Sequence, residues 1–207
     1  MLASQLMPKY RYENCAVVAL SDGGVMVGAQ IAKQLHTVLT LLLSAEINLP
    51  QEPMAIASIS QDGSFSYNQQ YAPSELEEMV GENYQYIEQQ KMSKMQDMQR
   101  LLGVGGLIRK DLLKGRNIIL VNDGLKSATA LDIAVQYLKP IAIEKVIVAT
   151  PLASIEAVDR MHILCDEIYC LSVVADYMDT PHYYEKQDIP THEMVIDTIE
   201  KIVLNWK

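Results

Sequence analysis

The sequence predicts an α/β protein with a central, mostly parallel sheet flanked by helices, and three observations predict it. Short apolar runs alternate with segments of helical apolar spacing along most of the chain, the pattern of βαβ units with right-handed crossovers. Asn117 to Val121 is an almost uninterrupted aliphatic run, as a strand covered on both faces requires, so it belongs in mid-sheet. A chain of 207 residues, 49% hydrophobic and 21% charged, can build one sizeable core and is too apolar for disorder.

Taken in order, Cys15 to Leu20 is the first strand, ending at Ser21-Asp22-Gly23-Gly24, after which Val27, Gly28, Ile31 and Leu35 recur at near-helical spacing. Val38 to Leu43 is the next apolar run. Met54 to Ser60 and Ser64 to Tyr67 flank Asp62-Gly63, a dipeptide that supplies the positive φ of a tight hairpin turn. From Pro73 to Leu102 the chain is polar and reads as one long helix, with Ser74 and Glu77 spaced as a capping box and Gly81 as the place where it could be interrupted. Met92, Met95, Met98 and Leu102 form an apolar stripe along it, read as packing or, alternatively, as the face of a homodimer. Gly103 to Gly106 then breaks the helix and reads as a mobile loop; with no strand before it, it is not a dinucleotide fingerprint.

Beyond the mid-sheet strand, Asn122 to Ser127 turns into a helix in which Leu131, Ala134, Val135 and Leu138 share a face, and Pro140 stops it. Lys145 to Thr150 is a strand leading through Pro151 to a helix from about Ser154 to Leu164. Ile168 to Val173 is a further strand, and Val195, Ile199, Ile202 and Val203 mark one face of a C-terminal helix. The expected organisation is a single domain over 1–207, with a long helical insertion at about 73–105 and a small helical and hairpin hood.

Composition excludes several classes of function. A formal net charge of -9 argues against nucleic acid, which is bound through clustered Lys and Arg. No apolar run is long enough to span a bilayer, and Met1 to Arg11 lacks the apolar segment and cleavage site of a secretory signal. A cytoplasmic location without a membrane partner is therefore expected. Cys15, Cys165 and Cys170 have neither zinc-knuckle nor thioredoxin spacing and read as buried or incidental thiols. His36, His162, His182 and His192 lie far apart, so no metal held by the protein alone is expected.

Sheets of this kind bind ligands outside the carboxyl ends of their strands. Two strand-to-helix turns therefore carry the interest: Ser21-Asp22-Gly23-Gly24, and Asn122-Asp123-Gly124-Leu125-Lys126-Ser127-Ala128-Thr129. A small-residue turn feeding a helix exposes backbone N–H groups and the positive end of the helix dipole, and so can cradle an anion without a cationic side chain. Either turn alone is also ordinary turn chemistry, since Gly, Asn and Asp are common turn residues.

The segment Ile118 to Ala130 resembles the ribose-phosphate-binding motif of type I phosphoribosyltransferases: four apolar residues, two acidic ones, small residues, then Thr-Gly-x-Thr. Ala19-Leu20-Ser21-Asp22-Gly23-Gly24-Val25 resembles the pyrophosphate loop of one branch, the stand-alone predicted phosphoribosyltransferases of bacteria, where Leu-Pro-Arg-Gly-Gly-Val is usual. Val148 to Ala153, Cys165 to Leu171 and the aromatic tail with Tyr177, His182, Tyr183 and Tyr184 follow the same branch, so the likeness runs from about Tyr12 to Val203. It implies a protein that binds phosphoribosyl pyrophosphate together with Mg²⁺ and exchanges pyrophosphate for a nitrogen nucleophile at the anomeric carbon. By the same likeness, Asn122 and Asp123 would meet the ribose hydroxyls, with Asp123 the catalytic candidate. The turn from Gly124 to Thr129 would hold the 5-phosphate, and Ser21 to Gly24 the leaving pyrophosphate.

The departures from the family pattern fall on those tasks. Asn122 stands where the first acidic residue belongs. Ser127 keeps a hydroxyl in place of the first Thr, but Ala128 replaces Gly and Ala130 the second Thr. Asp22 occupies a position where the branch carries Arg, so a carboxylate repels the leaving group, and Ser44-Ala45-Glu46 stands about where the branch has basic residues. Lys126 is the one cation inside the turn, read as a phosphate contact or as solvated surface. Two classes follow: a phosphoribosyltransferase-like protein with impaired transfer to an unknown acceptor, or a non-catalytic phosphate-binding, nucleotide-binding or regulatory protein on the same fold.

Overall fold

The computed structural model describes residues 1–50, 52, 54–102, 110–185 and 190–204. Its strands are β1 (Cys15–Ala19), β2 (Val38–Leu41), β3 (Ser44–Ile47), β4 (Ala57–Ser60), β5 (Phe65–Tyr67), β6 (Asn117–Val121), β7 (Lys145–Ser154) and β8 (Glu167–Val174). Its helices are α1 (Leu2–Tyr10), α2 (Asp22–Leu35), α3 (Pro73–Glu82), α4 (Tyr84–Leu102), α5 (Thr129–Leu138), α6 (Ile155–Leu164) and α7 (His192–Leu204). Five strands form an all-parallel sheet in the order β2-β1-β6-β7-β8, so β6 is the central strand.

The aliphatic run of β6 explains its place. Ile119 and Val121 point to one face, where they meet Leu6, Val25, Ala29 and Val195 from α1, α2 and α7. Ile118 and Leu120 point to the other and pack with Leu131, Ala134, Ala157 and Met161 from α5 and α6. All four β6 aliphatics are fully buried, each worth about 1.5–3 kcal/mol of apolar burial. A strand polar on either face could not occupy that position.

A second, antiparallel sheet, β3-β4-β5, forms the hood. The hairpin turn expected at Asp62-Gly63 is there, with Gly63 at φ 85°. Ile47, Leu49, Ile56 and Ile59 make the hood's own core with Ile87 and Met98 of α4. Gly103–Gly106, read above as a mobile loop, lies outside the described residues.

Several local expectations need correction. The helix after Ala72 starts on Pro73, with no side-chain cap, so Ser74 and Glu77 form no capping box; a proline needs no partner for its missing N–H at a first helical position. The polar helical stretch is two helices, and the break falls at Asn83, where the side chain donates to the Met79 carbonyl at 2.9 Å. On α4 the buried face runs through Ile87, Met95 and Met98, whereas Met92 is 67% exposed. β7 does not stop at Thr150: it continues past Pro151, with Leu152, Ala153 and Ser154 in register with Ser172, Val173 and Val174. Both α1 and β3 escaped the sequence reading. The thiols are free; burial pushes Cys15 up to about 11 and Cys165 up to about 12, which leaves them protonated at neutral pH.

Glu167 at the start of β8 joins α1 and β7 to that edge of the sheet. Its Oε1 lies 2.5 Å from Lys9 Nζ and 3.3 Å from Lys145 Nζ. Burial alone would raise its carboxyl, but the hydrogen bonds from Lys9 and Lys145 outweigh that and hold it at about 2, below the ordinary 4.5. A carboxyl depressed in the folded state contributes stability above its unfolded value, and that contribution fades as pH falls toward the folded value. We therefore expect Glu167→Gln to lower the melting temperature near neutral pH, with the gap to wild type narrowing from about pH 5 and closing only near about pH 2. Calorimetric melts across that range check it, and a gap independent of pH would refute the assignment.

Candidate active-site cleft

The parallel register of β1 and β6 sets Ala19 beside Val121, so the two candidate turns emerge side by side at the carboxyl ends of the strands. Leu20 N–H donates to the Val121 carbonyl at 2.9 Å, extending the pairing one step into the loop. Ser21 is then the N-cap of α2, its Oγ accepting from Gly24 N–H at 2.8 Å. The same Oγ lies 2.5 Å from Asn122 Oδ1 and 2.7 Å from Asp123 Oδ1. One hydroxyl proton faces two acceptors, so Ser21 donates to only one of the two oxygens at a time.

The glycines of the first turn are there for close approach. A Cβ on Gly23 would stand 2.0 Å from Asp123 Oδ2, and one on Gly24 would stand 2.8 Å from the Val121 carbonyl oxygen. The Asp123 carboxylate thus rests on the Gly23 backbone, and Asp22 opens α2 as its first residue, where a negative charge suits the helix dipole. Asn122 is buried and uses its Oδ1 to accept from Asp123 N–H at 2.9 Å as well as from Ser21. Its amide oxygen stitches the two turns together, a task a carboxylate oxygen could perform as well.

The second turn is braced from beneath. Leu125 N–H donates to the Leu152 carbonyl at 3.0 Å, Ser154 N–H to the Leu125 carbonyl at 2.9 Å, and Ser154 Oγ to the Lys126 carbonyl at 2.8 Å. These bonds are possible because β7 runs on past Pro151. Leu125 and Ala128 are buried, Lys126 projects into solvent, and α5 begins at Thr129 with Ala128 as an N-cap that provides no side-chain bond. The Ser127 and Thr129 hydroxyls lie 2.8 Å apart.

A carboxylate from the hood rests on those hydroxyls. Glu46 Oε1 on β3 accepts from Thr129 Oγ1 at 2.7 Å and from Ser127 Oγ at 3.3 Å. The aromatic tail closes the other side: Tyr184 donates to the Asp123 carbonyl at 2.7 Å, and Tyr177 hydrogen-bonds Thr180 against Gly124. Burial, with the Asp123 carboxylate nearby, raises the Tyr177 phenol and pushes that of Tyr184 up to about 12, so both stay neutral donors. His182 and Tyr183 stack edge-on at 5.0 Å outside this contact.

Between hood, turn and tail lies an open cleft of about 670 Å³, of a size that suits a small organic ligand. Glu46, Glu156 and Asp176 line it, against Lys126 as the single cation of the lining among the described residues. Asp123 Oδ1 accepts from Ser21, and Glu46 Oε1 from Ser127 and Thr129, so these two carboxylates are engaged within the protein. Among the described residues no group of three or more His, Cys, Asp or Glu side chains could hold a metal ion. The donor set therefore does not fit a protein-held Mg²⁺.

The two candidate turns thus meet through Ser21, Asn122 and Asp123, but of their residues only Asn122, Gly124, Leu125, Lys126 and Ser127 line the cleft, whereas Ser21 to Gly24, Asp123, Ala128 and Thr129 are not among its lining residues. Sequence reasoning marked Glu46 as a lost basic position without seeing its contact with the turn, and it passed over Glu156 and Asp176. Glu156 and Asp176 follow the carboxyl ends of β7 and β8, where the rule that pointed to the other two turns also applies; only the contact of Glu46 depends on the second sheet.

A parallel sheet in this order, with its ligand turns at the ends of β1 and β6, is the α/β fold of the type I phosphoribosyltransferases. Residues 1–184 match the phosphoribosyl transferase domain, and the chain belongs to that family. The chain is similar in structure to TT1426 from Thermus thermophilus, at 26% identity and TM-score 0.68, over 99% of this chain and 93% of that one. It is also similar to "Putative phosphoribosyl transferase MT0597" and "Putative phosphoribosyl transferase Rv0571c" of two Mycobacterium tuberculosis strains, each 25% identical over 160 residues. The match covers 77% of this chain but only 35% of those proteins, so the chain spans about a third of the length of these curated relatives. No helix among the described residues is long and apolar enough to cross a membrane.

The Ser21 hydroxyl both caps α2 and joins the turns. Ser21→Ala should cost about 1–2 kcal/mol in urea unfolding, the size of a lost N-cap. An unchanged unfolding midpoint would show that neither bond matters to the folded state.

Proposed function

We propose that the cleft takes a phosphoribosyl or nucleotide ligand, and that phosphoribosyl transfer is impaired. One observation carries this reading: the Ser127–Thr129 hydroxyl pair, the natural seat for a phosphate, already holds an anion, the Glu46 carboxylate. The turn thus retains donors for anionic oxygen, while the groups around it disfavour a polyanion. In this reading the whole chain works as one ligand-binding domain, with α3 and α4 as an insertion that supports the hood.

The roles follow from position. Asp123, with Ser21 sharing one proton between it and Asn122, accepts a ribose hydroxyl. The backbone of Lys126 to Thr129 and the Ser127 and Thr129 hydroxyls face the 5-phosphate end, and Lys126 adds the nearest positive charge. Transfer would require stabilising a departing pyrophosphate beside Ser21 to Gly24, where Asp22 supplies a negative charge in place of a donor. Mg²⁺ would enter as the companion of a pyrophosphate ligand, not as a resident ion. A non-catalytic binding or regulatory role is the second reading, favoured by the three carboxylates against one lysine among the described residues of the cleft lining.

Titration calorimetry with phosphoribosyl pyrophosphate and Mg²⁺, paired with a pyrophosphate-release assay using common nitrogenous acceptors, tests the proposal. Wild type should bind weakly and release little or no pyrophosphate. Asp22→Arg combined with Asn122→Asp should tighten binding by about tenfold or more, as one or two repaired charged contacts would. Tight wild-type binding with rapid turnover would sink the impaired-transfer reading.

A further inference from the structure

We propose that Glu46 is an internal stand-in for a ligand phosphate: a phosphate-bearing ligand must displace its carboxylate from the turn, and the residue thereby sets the cleft's selectivity against phosphate. This rests on the reading that the cleft takes a phosphoribosyl or nucleotide ligand. A carboxylate and a phosphate offer the same chemistry to a hydroxyl pair, anionic oxygen that accepts. Three oxygens meet here, Glu46 Oε1, Thr129 Oγ1 and Ser127 Oγ, at 2.7, 3.3 and 2.8 Å from one another. They have two hydroxyl protons between them, so a phosphate arriving at the same donors finds them engaged. If the carboxylate stayed in place, two anions would stand within a few ångströms of each other in a cleft whose lining holds a single lysine among the described residues.

The carboxylate is delivered by structure rather than by a wandering side chain. Glu46 pairs with Ser58 across the β3–β4 ladder, and Ser58 Oγ donates to the Thr129 carbonyl at 3.2 Å. Cross-strand neighbours therefore grip the same residue, one at its hydroxyl and one at its backbone, which fixes where the Glu46 side chain begins. Its end is exposed to the cleft, so a rotamer change suffices to clear the turn and no strand needs to separate. Charge explains the selectivity: ribose lacking phosphate meets the Asp123 corner without contesting the hydroxyl pair, whereas ribose 5-phosphate must win it.

Calorimetric titration of the full chain with ribose 5-phosphate and with ribose, for wild type, Glu46→Gln and Glu46→Ala, decides the matter. Both substitutions should tighten ribose 5-phosphate binding by about tenfold or more and leave ribose binding unchanged, the loss of one opposing charge at contact distance. Adding Thr129→Val to Glu46→Gln should abolish the gain, and circular dichroism of each variant confirms that it is folded. Equal affinity in wild type and both variants, or weaker binding in them, overturns the stand-in role while the proposed ligand class survives. No binding of ribose 5-phosphate by any of the three overturns both.

Discussion

The parallel register between β1 and β6 governs the rest of the molecule. Because Ala19 lies beside Val121 and Leu20 N–H continues the ladder onto the Val121 carbonyl, both turns leave the sheet at the same height. A slip of one residue would exchange the faces of Ile118 to Val121 and would separate Ser21 from Asn122 and Asp123. Because β6 is aliphatic on both faces, its hydrophobicity alone does not choose the register; the bonds of Leu20 to Val121 and of Ser21 to Asn122 and Asp123 belong to this register.

The parts of this arrangement visible in the sequence were those written in local patterns. The β6 run, the helical spacing after it, the Asp62-Gly63 hairpin and the two turns all declare themselves within a few neighbouring residues. What escaped notice depends on distant partners. β3 has only four residues, and although Ser44-Ala45-Glu46-Ile47 alternates polar and apolar, so short a run is not enough to mark a strand beside the longer apolar run before it. α1 carries Leu2, Leu6 and Tyr10 on one buried face, but Pro8 inside it argues against a helix on local grounds. Pro151 gave the same false stop in β7; the register passes from Thr150–Cys170 to Leu152–Ser172 around it.

Charge shows a similar division. The sequence reading found the wrong signs at Asp22, Asn122 and Glu46, since a motif fixes their places. It did not see that Asn122 works as a carbonyl acceptor between two loops, nor that Glu156 and Asp176 come to line the same cleft from beyond the motif. A motif departure can therefore be a structural substitution in one residue and an electrostatic one in its neighbour.

The brace beneath the second turn has a consequence for how fast and how selectively a ligand could be met. Leu125 and Lys126 are tied through backbone and hydroxyl bonds to the extended end of β7, so the turn already has its shape before anything arrives. Binding there would not have to freeze a floppy loop, which commonly consumes a large share of the interaction energy. Adaptation is left to side chains at the rim, so encounter would resemble fitting a ligand to a rigid floor under an adjustable edge.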